Sequence, residues 1–151
     1  MKKAPIFLTL MTSIVLGACQ QISHDPHDIN HDVDTCEICN MAINNKQAST
    51  QIVMQDGSAL KFDDIGCMMQ YKEENPEEVG DFHTEYVNGY DTQEWMDATE
   101  GTYVYDDDIN TPMGNGVISF RSEEEAEAYV DSEDGELLEY DDLNDHDWDS
   151  Y

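Results

Sequence analysis

The alternation of apolar and polar positions divides the chain into short elements. Gln47 to Met54 is rich in Thr, Ile and Val and predicts a strand. Gln55-Asp56-Gly57-Ser58 supplies hairpin-turn chemistry, and Ala59 to Phe62 is the returning strand. Asp63 or Asp64 can cap a helix over about Ile65 to Glu74, which Pro76 stops. Phe82 to Tyr86 predicts a third strand, and Asn88-Gly89 a turn. A similar order then recurs. Gly101 to Tyr105 and Val117 to Phe120 are strands, separated by the loop Asp106 to Gly116. Ser122-Glu123-Glu124-Glu125 is a capping box that opens a helix to about Val130, with Ala126, Tyr129 and Val130 inward. Glu136 to Tyr140 is the last strand. The expected fold is α+β, two small ββαβ-like units packed together, about 35–98 and 99–143, with Phe62 and Phe120 in equivalent places. Residues 144–151 form an acidic tail, expected to be largely solvated.

The N-terminus has a different character. Met1-Lys2-Lys3 is positive, and Ala4 to Ala18 is mostly apolar and too short to span a bilayer comfortably. It ends in Leu16-Gly17-Ala18-Cys19, which resembles the bacterial lipobox. Residues 1–18 are therefore expected to be a lipoprotein signal peptide. Cys19 is the expected lipidation site, placing the mature chain outside the cytoplasm, anchored to the cell membrane. Residues 19–34 read as a solvated tether in which His24, His27 and His31 each precede an Asp. These imidazoles and carboxylates offer weak auxiliary metal binding, without the fixed geometry that gives selectivity.

Charge narrows the range of functions. Six Lys and Arg face 35 Asp and Glu, for a net charge of −29. No basic face exists to neutralise phosphates, which excludes nucleic acid as a partner. It likewise leaves the lipid anchor as the only attraction to an anionic membrane. With so many acids, carboxylate pairs arise by chance and signal no catalytic arrangement.

Sulfur carries the informative chemistry. In Cys36-Glu37-Ile38-Cys39-Asn40-Met41, two thiols at this spacing either converge on a metal ion or form a small disulfide loop. The thioether of Met41 suits Cu(I) better than Zn(II). Phe62-Asp63-Asp64-Ile65-Gly66-Cys67-Met68-Met69 sets a third thiol and two thioethers on the first turns of a helix. The helix N-terminus there is expected to favour thiolate. With Cys19 acylated, an odd number of thiols remains: one stays free, pairs elsewhere, or binds metal. Cys67 and one of Met68 and Met69 can equally be core. Met113, in Thr111-Pro112-Met113-Gly114, is either a ligand or a plug between the units. His83 and Met96 are weaker candidates. The metal set is Cys36, Cys39, Met41, Cys67, Met68 and Met113.

These blocks together resemble the NosL family: Cys-x-x-Cys-x-Met, then Asp-Gly and Phe-Asp-Asp-Ile-Gly-Cys-Met, then Thr-Pro-Met-Gly-x-Gly-Val-x-x-Phe followed by Glu-Glu-Ala-Glu-Ala-Tyr. The likeness extends from the lipobox to about Leu138. It implies a monomeric, lipid-anchored Cu(I) chaperone with no catalytic residues, built from two ββαβ units similar to part of the organomercurial lyase fold. It implies delivery of copper to nitrous oxide reductase or another copper enzyme, with a membrane ABC-type maturation complex as partner. The chain departs from the family pattern in its acidity, and in Asn40, where the family often has Gly. Two other readings compete: a thiol–disulfide oxidoreductase using Cys36 and Cys39, and a metal scavenger without a dedicated recipient. A redox enzyme of the thioredoxin type would set its Cys-x-x-Cys between a strand and a long helix. Here the motif precedes a strand and brings no general base.

Overall fold

The structure, a computed structural model, describes residues 22–148. The expected signal peptide and Cys19 lie outside the described residues. Among the described residues, no helix is long and apolar enough to cross a membrane.

The first unit begins with the hairpin β1 (Thr50–Met54) and β2 (Ala59–Phe62). Its turn forms as the residue types dictate. Gly57 takes φ 83°, and the Asp56 carboxylate accepts hydrogen bonds from the Ser58 amide and hydroxyl at 2.9 and 2.6 Å. The helix α1 (Ile65–Glu74) follows. Pro76 does not simply end the chain's helical course: it occupies the first turn of a second short helix, α2 (Pro76–Val79). Then come β3 (Phe82–Asn88) and a strand the hydrophobic pattern did not predict, β4 (Trp95–Asp97). The second unit consists of β5 (Thr102–Tyr105), β6 (Val117–Phe120), α3 (Glu123–Ser132) and β7 (Glu136–Glu139). A last short helix, α4 (Asp142–Asp145), closes the chain.

Two antiparallel sheets result, in the orders β2-β1-β3-β4 and β6-β5-β7. In each, the first strand of the unit lies in the middle and the strand after the helix pairs on its far side. The expected repeat is therefore present in topology, with β4 added to the first unit.

The main core takes Ile52, Phe62, Met68 and Val87 from the first unit and Tyr103, Val117 and Leu138 from the second. A smaller cluster of Val104, Ile118, Phe120 and Ala126 lies under α3, packed against Tyr90, Tyr129 and Val130. A buried polar network crosses between the units. Lys72 pairs with Glu85 at 2.7 Å, and Tyr140 donates to the same carboxylate at 2.5 Å.

Both ends of the described chain are more tightly held than the pattern suggested. Gln51 makes two hydrogen bonds to the backbone of His27, at 2.8 and 3.0 Å. Lys61 reaches the Asp28 carbonyl at 2.9 Å and the Asp34 carboxylate at 2.6 Å. Residues 22–34 thus lie along the β1–β2 hairpin. At the other end, Leu143 and Trp148 are buried, and the indole donates to the Leu143 carbonyl at 3.0 Å. Two apolar side chains among many acids are enough to dock this segment.

Candidate metal centre

The Cys-x-x-Cys segment is a closed loop. Thr35 and Ala42 form an isolated antiparallel bridge. Within it the Cys36 amide donates to the Met41 carbonyl at 2.9 Å, and the Asn40 amide to the Cys36 carbonyl at 3.0 Å. Closing so tight a loop requires a left-handed residue, and Asn40 supplies it at φ 58°. The Glu37 amide donates to the Lys61 carbonyl, which fixes the loop to the edge of β2. Cys36 is buried, Cys39 half-buried and Met41 exposed.

The turn from β2 into α1 brings the third thiol. Asp64 is the N-cap: its Oδ1 accepts from the Cys67 amide at 2.9 Å. Cys67 is 1% exposed. Asp64 also accepts from the Met113 amide at 3.1 Å and from the Asn115 side chain at 3.0 and 3.1 Å. One carboxylate thus holds the helix start and the Thr111–Gly114 loop of the second unit. Gly66 makes room for this clamp, since a Cβ there would lie 2.1 Å from Asn115 Nδ2.

Cys36, Cys39, Cys67 and Asp63 converge, each offering a ligand atom within 4.8 Å of the others. No other such group of three or more His, Cys, Asp or Glu occurs among the described residues. All three cysteines are thiols rather than disulfides. Asp63 was foreseen only as a possible cap. With Asp64 doing the capping, Asp63 is left facing the sulfurs: Cys39 donates to its Oδ2 at 3.5 Å, while its buried Oδ1 has no hydrogen-bond partner. Two adjacent acids before a helix that needs one cap was the available sequence signal. Three sulfurs and a carboxylate with an unspent oxygen suit a thiophilic metal ion.

The thiols are electrostatically unequal. A hydrogen bond from Cys67, aided by backbone hydrogen bonds and opposed by burial, lowers the Cys36 pKa to about 7. Burial is the main cause that pushes Cys39 up to about 12, with the charges of Cys36 and Asp63 adding. Cys67 is raised, first by its hydrogen bond to Cys36, then by burial and the nearby Asp64. The helix N-terminus was expected to favour thiolate at Cys67; the thiolate is favoured at Cys36 instead, because Cys67 serves as its donor.

The remaining candidates fall in several places. Met41 is 49% and Met113 37% exposed, whereas Met68 is fully buried beside Cys67 in sequence. An open cleft of about 370 Å³ is lined by Met41, Asn44, Asp63, Asn110, Thr111 and Pro112, and so meets the cluster at Asp63. Met96 is buried core. The three tether histidines are not brought together. His24, His27 and His31 bond separately to the carbonyls of Gln55, Gly57 and Ile43, at 3.0, 3.0 and 2.6 Å. His83 is exposed and stacks on His24, ring centroids 3.7 Å apart.

Fold and cluster together define a two-unit α+β protein with, among the described residues, a single thiol–carboxylate centre. The NosL family model matches residues 26–148. The chain belongs to the NosL family. A similar solved structure is that of the copper chaperone NosL from Shewanella denitrificans. It shares 18% identity at a TM-score of 0.67, over 79% of this chain and 95% of that one. A comparison with curated proteins finds no significant match.

Proposed function

We propose that this protein is a metallochaperone that carries Cu(I) outside the cytoplasm. The convergence of Cys36, Cys39 and Cys67 is the observation that carries this reading, since a soft monovalent ion is well satisfied by two or three sulfurs. Membership of a family whose solved relative is a copper chaperone supports it. Cys36, Cys39 and Cys67 hold the ion. The exposed thioethers of Met41, which lines the cleft at Asp63, and of Met113, whose amide bonds Asp64, serve as weaker ligands as it arrives and leaves, with the buried Met68 a further thioether. A thioether bond is weaker than a thiolate bond, which suits cargo that must be surrendered. The Cys-x-x-Cys lies in a loop closed by a bridge, not at the head of a helix, which favours holding a metal over exchanging disulfides. Acylation at Cys19 would anchor the chain to the membrane. From there a monomer would deliver copper to nitrous oxide reductase or another copper enzyme through an ABC-type complex.

The test is Cu(I) competition on the reduced protein. Wild type should bind about one Cu(I) per chain and prefer it to Zn(II). Cys39→Ser should weaken Cu(I) strongly. Met113→Leu conserves volume and should cost under about 1.5 kcal/mol in stability, yet speed Cu(I) loss to a chelator. A preference for zinc in the wild type would overturn the proposal.

A further inference from the structure

We infer that Asp63 is a fourth donor that lets the cysteine cluster also hold a divalent thiophilic cation of the Zn(II) class, and so sets the metal selectivity of the site. The inference rests on the reading of the three cysteines as the Cu(I) site.

Three observations carry it. First, the geometry is that of a four-donor site. A tetrahedral Zn(II) with sulfur and oxygen bonds of its usual lengths sets its donors roughly 3.5–3.8 Å apart. Cys39 Sγ and Asp63 Oδ2 stand at 3.5 Å, and all four donors lie within 4.8 Å of one another. Second, Asp63 accepts from the thiols of the cluster itself and serves as neither cap nor clamp. It is 2% exposed, its Oδ1 accepts no hydrogen bond, and the capping and clamping fall to Asp64. A buried carboxylate oxygen without a partner is costly unless an ion or donor satisfies it. Third, the donor set has two characters. Cu(I) is satisfied by the sulfurs and gains little from a hard oxygen, whereas Zn(II) takes sulfur and carboxylate together and wants four ligands. The oxygen therefore counts for one ion and little for the other.

The experiment uses the reduced full chain, with Zn(II) and Cu(I) affinities from chelator competition and Co(II) as the spectroscopic probe. In Asp63→Asn, the ratio of Cu(I) to Zn(II) affinity should rise by more than about tenfold, the order of loss seen even when a supporting partner of a metal ligand is removed. Asp63→Cys provides a second arm: it should tighten Zn(II), and raise the Co(II)–thiolate charge-transfer intensity by about a third as three thiolates become four. An unchanged or reduced ratio in Asp63→Asn overturns the inference. If that variant does not fold, a Co(II) band in Asp63→Cys no stronger than in wild type overturns it. Wild type that binds no Cu(I) would sink the proposed function instead, whatever zinc does.

Discussion

Asn40 shows how a single backbone angle decides what a thiol can do. The Cys36–Met41 loop closes only because residue 40 is left-handed, and Asn is among the few residues other than Gly that visit this region readily. At the same scale, the unequal thiols fix how many protons a cargo displaces. Cys36, lowered to about 7, is ionised at pH 8, while Cys39 and Cys67, both raised, are protonated. Ligation needs all three as thiolates. Cu(I) affinity should therefore rise with pH. The slope should be about two protons per ion between pH 7 and 12 and should steepen to about three below 7, as Cys36 gains its proton. Competition titrations from pH 6 to 9 measure this. A slope of about one above pH 7 would mean that only one of Cys39 and Cys67 joins Cys36 on the ion.

Helix α1 is the element on which the site turns. Its N-terminal turn carries Cys67, and its cap, Asp64, receives the Asn115 side chain and the Met113 amide from the other unit. Losing an ordinary cap costs about 1 kcal/mol. Asp64→Ala should cost more, about 2–4 kcal/mol, because it also strands the buried amide of Asn115. Gly66→Ala should act in the same direction by driving a methyl into Asn115. Urea unfolding checks both, and a cost for Asp64→Ala near that of Ser122→Ala, the isolated cap of α3, would show that the clamp contributes nothing. Much of this was legible in the sequence. Ala59–Phe62, Ile65–Glu74 and Val117–Phe120 were read with their observed bounds, since turn residues and caps bracket each apolar run. The strand Trp95–Asp97 was missed because it is three residues long and exists through its pairing with β3. Asp63 was missed because local rules see a cap where only tertiary structure shows an acid facing three sulfurs. The histidines looked like a cluster in sequence, but each ring is spent on a backbone carbonyl, His24 and His27 at the β1–β2 turn and His31 at Ile43.

At the scale of the whole molecule, 35 acidic side chains are opposed by six basic ones, for a net charge of −29. Lys61 and Lys72 are drawn inward to partners, and Arg121 faces Glu94 at 3.7 Å on the exposed surface. Self-repulsion of the remaining acids destabilises the compact state and is screened by salt, with a Debye length of about 30 Å at 0.01 M and about 8 Å at 0.15 M. The thermal midpoint should accordingly climb as sodium chloride is raised from 0.01 M to beyond 0.15 M. A midpoint indifferent to salt would show that the acids are too dispersed to matter. An acidic surface of this kind also remains hydrated in concentrated salt.

The double engagement of Asp64 has a consequence for how a full carrier differs from an empty one. The second unit contains no cysteine, yet its Asn115 and its 111–114 loop hang from the residue that also seats Cys67. An ion bound only by the folded chain stabilises all of it, by about 2.7 kcal/mol at a free concentration a hundredfold above its dissociation constant. That gain is transmitted through the shared carboxylate to strands and a helix that never meet the metal. Loss of a bound ion should therefore lower the unfolding stability of both units together, including strands that carry no cysteine.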